Sequence, residues 1–202
     1  MDITPGFYHR PDSETVPGFP GWSGGVRIVV DGTPLTRFAT QTVADRSQQP
    51  VYSVAGDQYD TPEQFVGINL ASTLGSLFDA FEPFALQDAE RHQEYVGELF
   101  DEPPQMVIAL SHLDGECIRI AALPYLLGQQ SMVHAESQLG YSVPPEAFAN
   151  ALAECYEECL DYTRRAFIYT DDYRGGTDFS SYMAELRAEY QEDIEMLRNV
   201  SG

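Results

Sequence analysis

The sequence predicts an α+β fold: a mostly antiparallel sheet built from β-hairpins, packed against three or four helices, with a Pro/Gly-rich N-terminal arm. Three observations carry this reading. Apolar, β-branched runs flank two Asp-Gly pairs: Val26-Arg27-Ile28-Val29-Val30 runs into Asp31-Gly32, and Met106 to Leu110 and Cys117 to Ala121 lie either side of Asp114-Gly115. Asp-Gly supplies the positive φ angles that a two-residue hairpin turn requires. Apolar residues at helical spacing mark three later segments. Finally, 202 residues with a hydrophobic fraction of 43% suffice for one core.

In chain order, residues 1–25 carry Pro5, Pro11, Pro17 and Pro20 among five glycines and read as an irregular arm, held to the domain by Phe7, Tyr8, Phe19 and Trp22. Residues 26–202 read as a single α+β domain ending in two long helices. Residues 26–40 form a hairpin whose returning strand contains Pro34, which lacks a ladder donor and belongs at a sheet edge. Phe65-Val66-Gly67-Ile68 suits a short strand, and Asn69 is placed to cap a helix with Leu70, Leu74, Leu77, Phe78 and Phe81 as its stripe, ended by Pro83. Residues 86–102 read as an acidic, weakly amphipathic segment before Pro103-Pro104. The Gln105 to Leu123 hairpin provides the central strands, and residues 131–143 add one or two more. Pro144-Pro145-Glu146 open a long helix, with Phe148, Leu152, Cys155, Cys159, Thr163 and Ala166 on its buried face. A last helix runs from about residue 178 to 199, on Met183, Leu186, Tyr190, Ile194 and Leu197.

Composition narrows the function. All 11 basic side chains are arginine, against 32 acidic ones, for a net charge of −21. Average usage would place roughly ten lysines in such a chain. The bias fits halophilic adaptation. Repulsion among the carboxylates predicts that salt stabilises the fold, since the Debye length falls to about 3 Å at 1 M. The charge disfavours direct nucleic-acid binding and anionic membranes, which draw affinity from clustered cations, and favours a basic protein partner. Three cysteines, no basic and apolar signal segment and no membrane-length apolar run point to a cytoplasmic protein without a disulfide framework.

His134-Ala135-Glu136 followed by Cys155 and Cys159 resembles the zinc-dependent base and nucleoside deaminases, in which a His and two Cys hold zinc and the Glu moves protons. The Pro-Cys-x-x-Cys half of that motif is missing, and both cysteines fall on the apolar face of the long helix. They therefore read as small buried hydrophobes, with no metal and no cofactor expected. A Gly-rich phosphate loop, a His-Glu-x-x-His pair and a Gly-x-Ser-x-Gly elbow are absent from the sequence, and a chain without lysine cannot form a lysine Schiff base. Asp171-Asp172 lack the ligand ladder of a calcium loop and read as a solvated turn.

The carboxylates are the leading candidates. If residues 86–102 are helical, Glu90, Glu94 and Glu98 stack on one face at roughly 6 Å per step, approximating a row of phosphates. Asp101 and Glu102 extend that partner-binding surface, and Glu157 with Asp161 form a competing face. At the level of architecture, the strand Val26 to Val30, the helix from Ile68-Asn69-Leu70, the hairpin Met106 to Leu123 and the late helix bearing Phe148, Leu152 and Leu160 resemble small cytosolic immunity proteins of polymorphic-toxin systems. That resemblance implies a tight, acidic, non-catalytic inhibitor of a basic toxin. Three classes stand: an acidic binding or inhibitor protein, a nucleic-acid-mimicking antagonist of a DNA-binding defence or restriction protein, and a divergent zinc-dependent deaminase-like enzyme.

Overall fold

The computed structural model describes residues 1–13, 22–37, 49–99, 106–113, 117–124, 133–169 and 179–200. Among them, two antiparallel sheets and four helices make up the predicted α+β architecture. The first sheet has the order β1-β2-β3, from β1 (Asp2–Phe7), β2 (Gly24–Val30) and β3 (Thr33–Pro34). The second has the order β4-β5-β6-β7, from β4 (Glu94–Leu99), β5 (Met106–His112), β6 (Ile118–Pro124) and β7 (Tyr141–Val143). The helices are α1 (Leu70–Ala85), α2 (Ala135–Leu139), α3 (Pro145–Tyr169) and α4 (Phe179–Arg198).

The Asp-Gly reasoning holds at β2–β3, where Asp31 and Gly32 take φ of 50° and 78°. Such a pair matches the right-handed twist of the strands it joins. Pro34 lies on the edge strand, opposite Val29, as its missing donor requires. At β5–β6 the register pairs Ile108 with Ala122 and Leu110 with Ile120. The turn at 114–116 lies outside the described residues.

The N-terminal segment corrects the arm reading. Residues 2–7 are strand β1, paired along their whole length with β2. Pro5 costs this ladder nothing. Phe7 exchanges backbone hydrogen bonds with Tyr52 at 2.9 and 2.8 Å, on the side of β1 away from β2. Amide direction alternates along a strand, so the missing donor of Pro5 points the same way, outside the β1–β2 ladder. The glycines that read as breakers are contact residues: a Cβ on Gly24 would lie 2.1 Å from the Gly6 carbonyl oxygen, and one on Gly6 would lie 2.4 Å from the Phe65 ring. Trp22 is buried, as an anchoring aromatic should be. Residues 14–21 lie outside the described set.

Asn69 caps α1 as expected, its side chain accepting from the Ser72 amide at 3.2 Å. Pro83, however, lies inside α1 instead of ending it. Phe84 is buried beyond it, and the Pro83 carbonyl is satisfied by the amides of Asp88 and Ala89 at 2.8 and 2.9 Å. A proline this near the C-terminal end breaks little of the helical ladder while an aromatic anchor holds the last turn. The Phe65 to Ile68 run makes a single bridge, Val26 to Val66, and no strand. Of 131–143, residues 131 and 132 lie outside the described set, and among the described residues the strand reading holds for β7. Residues 135–139 form α2, whose Leu139 is 75% exposed, because Gly140 at φ 76° ends the helix before the chain turns into the sheet.

The core lies between the sheets and the two long helices. Phe81 of α1 stacks on Phe148 of α3 at 4.9 Å, and Phe84 meets Tyr95 of β4 edge-on at 5.3 Å. Along α3, Phe148, Leu152, Cys155, Cys159, Thr163 and Ala166 are all buried, as the spacing predicts. The same helix runs beside β1, where Tyr162 stacks on Phe7 at 3.7 Å and donates to the His9 carbonyl at 3.0 Å. Leu186, Ile194 and Leu197 dock α4, and Tyr190 wedges between Trp22 and Tyr156, with centroids 5.3 and 5.4 Å away. The Trp22 indole donates to Thr163 Oγ1 at 2.7 Å, and Thr163 bonds back to the Cys159 carbonyl.

Candidate functional site

The carboxylate row predicted for residues 86–102 is not formed. Residues 94–99 are an edge strand, in which Tyr95, Gly97 and Leu99 face α1 while Glu94, Val96 and Glu98 face outward. The reason is packing: Gly97 lets Leu77 approach so closely that a Cβ would meet it at 2.9 Å, and the Glu98 amide is taken up by Ser76 Oγ of α1 at 2.8 Å. Glu94 and Glu98 are thus about 13 Å apart along a strand rather than one helical turn. Glu90 lies in the preceding turn, its amide donating to the Tyr95 hydroxyl at 2.9 Å, and Glu94 pairs with Arg119 at 3.3 Å. Asp101 and Glu102 lie outside the described residues.

The competing face is the coherent one. Because the apolar stripe of α3 turns inward, Glu154, Glu157, Glu158 and Asp161, at i, i+3, i+4 and i+7, turn outward together. All four are exposed. Arg198 at the end of α4 reaches Glu157 at 3.1 Å and Glu154 at 3.9 Å, and Arg164 meets Asp161 at 3.2 Å. Glu158 has no basic side chain within ion-pair distance among the described residues. Its carboxyl is pushed above the usual range by partial desolvation and then by Asp2, Glu154 and Asp161. Asp2 thus brings a fifth carboxylate from β1 to the same surface. Of these five, the sequence reasoning named only Glu157 and Asp161. Glu154 and Glu158 were findable as the complement of the core stripe, whereas Asp2 is brought in by the pairing of a strand that the prolines concealed.

Carboxylate crowding recurs where α4 meets α1. Asp193 is pushed up by burial, then by Asp79, Glu192 and Glu82, with the Tyr156 hydroxyl acting in the opposite sense. That hydroxyl is fully buried and, among the described residues, meets no atom in full hydrogen-bond geometry. A carboxyl whose pKa is raised by folding binds its proton more tightly in the native state. Its stabilising contribution is complete below the ordinary aspartate value of about 3.9 and is lost as pH rises through the raised one. Asp193→Asn is therefore expected to raise the thermal midpoint above wild type at pH 8, with the gap closing towards pH 4. Melts of both proteins across that range check this, and a gap independent of pH would contradict it.

The deaminase-like residues do not assemble in that pattern. Cys155 and Cys159 are fully buried, and burial with the neighbouring Cys155 pushes the Cys159 thiol well up, which disfavours the thiolate that metal binding needs. His134 and Glu136 instead meet Arg37, whose Nη2 donates to His134 Nδ1 at 3.1 Å and to Glu136 Oε2 at 2.8 Å. Among the described residues no three His, Cys, Asp or Glu side chains are placed to hold a metal. Asp171 and Asp172 lie outside the described set. No described helix is long and apolar enough to cross a membrane. No protein-family model, curated protein or solved structure matches the chain.

Proposed function

We propose that this protein is a non-enzymatic acidic binding protein, of the inhibitor kind, whose partner is a basic protein engaged through the outward face of α3. The observation that supports this is the contiguous stripe Glu154, Glu157, Glu158 and Asp161, joined by Asp2, on a helix whose opposite face is fixed in the core. Adaptation to salt alone asks only for dispersed charge. Here partial desolvation, and then the crowding of Asp2, Glu154 and Asp161, hold the carboxyl of Glu158 back from ionising, and a cationic partner would relieve the repulsion. A display anchored by Phe148, Leu152 and Cys159 also loses little flexibility on binding, so charge complementarity goes into steering and specificity. The strand at β4 removes the stacked carboxylates on which the phosphate-mimicking alternative rested.

The test begins with a partner captured at native salt, identified and purified. Replacing Glu154, Glu157 and Glu158 by Gln and Asp161 by Asn is expected to slow association by about tenfold or more and to flatten its salt dependence, with circular dichroism unchanged. An unchanged rate and affinity would leave the acidity as adaptation to solvent.

A further inference from the structure

The stripe on α3 already holds one basic ligand, and it comes from the same chain. Arg198, in the last turn of α4, donates to Glu157 Oε2 at 3.1 Å and Asn150 Oδ1 at 3.3 Å of α3 and lies within ion-pair reach of Glu154 Oε1 at 3.9 Å. Asn150, Glu154 and Glu157 follow at i, i+4 and i+7, so the fork spans two turns of the face. Arg164 is different: it meets Asp161 from its own helix, at i+3, and brings no second element to the surface. Glu158, between the two, has no such cover among the described residues.

We propose that Arg198 is an autoinhibitory contact, standing in for an arginine of the basic partner and masking the Glu154–Glu157 half of the binding face while α4 is docked. This rests on the reading of the α3 face given above and adds the recognition chemistry: the partner presents a guanidinium to Glu154, Glu157 and Asn150. The geometry favours arginine over lysine there, because a planar fork serves separated acceptors that a point charge cannot bridge. The mask is weak by construction. Arg198 is 37% exposed and its carboxylate partners are 50 and 66% exposed. Exposed ion pairs of this kind contribute little, so a competing arginine displaces Arg198 readily, at a penalty of about threefold to fivefold in affinity. Displacement also leaves α4 its main anchors, because Leu186, Ile194 and Leu197 stay buried without Arg198.

The experiment measures binding of a fluorescent tetra-arginine peptide to the whole chain at low salt. Arg198→Gln is expected to tighten binding about threefold to fivefold, and Arg198→Lys, which keeps the charge without the fork, by less. Arg187→Gln removes the same charge from α4 three turns earlier and is expected to change little. With Glu154→Gln and Glu157→Gln in place, Arg198→Gln should gain nothing further. Equal or weaker binding by Arg198→Gln, or an equal gain from Arg187→Gln, overturns the proposal. Trp22, the single tryptophan, lies against Tyr190 of α4 and reports docking. Its emission is expected to stay at the wild-type position in Arg198→Gln, and a shift would show that Arg198 holds the helix rather than masks the face, which also overturns it. If neutralising Glu154, Glu157, Glu158 and Asp161 leaves peptide binding untouched, the binding face itself fails. If those changes weaken binding while Arg198→Gln does not tighten it, only the autoinhibitory contact fails.

Discussion

Phe81→Ala is expected to cost about 3–5 kcal/mol of folding stability, the largest single effect in the chain. Phe81 is fully buried where α1 crosses α3, stacked on Phe148 at 4.9 Å and beside Phe84 at 6.0 Å. Truncation removes the transfer free energy of a ring and leaves a cavity. The backbone cannot close it, because Leu77 of the same helix is seated against Gly97 of β4. Urea unfolding would measure the loss, with Phe81→Leu as a milder companion. A cost below about 1 kcal/mol, typical of a surface change, would mean that this contact is not the centre of the core.

Gly24→Ala should be nearly as damaging for the opposite reason. The added methyl would stand 2.1 Å from the Gly6 carbonyl oxygen and 2.9 Å from Leu70 Cδ1. The first of these atoms is backbone and cannot rotate away. Overpacking of this kind costs about 1–3 kcal/mol and sometimes more, and here it should separate β1 from β2. Faster amide exchange in residues 2–7 is the expected signature. Gly75 is the control: it lies within α1, a Cβ there meets nothing within 4 Å, and Gly75→Ala should stabilise by about 0.5–1 kcal/mol through helix propensity. Equal effects at the two sites would show that close approach is not why Gly24 is glycine.

The elements legible in the sequence are those whose patterns are local. Asp31-Gly32 fixes its turn through the φ angles those residues tolerate, and Asn69 caps α1 through its own side chain. The spacing of Phe148, Leu152, Cys155 and Cys159 determines which side of α3 is buried, and with it which carboxylates point outward. Four of the five carboxylates of the candidate face follow from that periodicity alone. The misreadings share one cause. Pro5 and Pro83 are breakers only when their missing donor or ring meets a needed partner, and tertiary placement puts Pro5 at an outer edge and Pro83 before a buried aromatic. Residues 94–99 carry a weak helical and a weak strand pattern at once. Gly97 settles the choice by packing on Leu77, a residue 20 positions away.

The chain by itself therefore determined the α+β class, the hairpins, the inward faces of α1, α3 and α4, and a surface dominated by carboxylate, because each follows from the chemistry of neighbours in sequence. Only the tertiary structure decided which carboxylates share a surface. Pairing of β1 carries Asp2 to Glu158, docking of α4 lays Arg198 across Glu154 and Glu157, and β4 separates Glu94 from Glu98. Charge acts through distance in space. Between residues far apart in the chain, the sequence does not contain that distance until the core has packed.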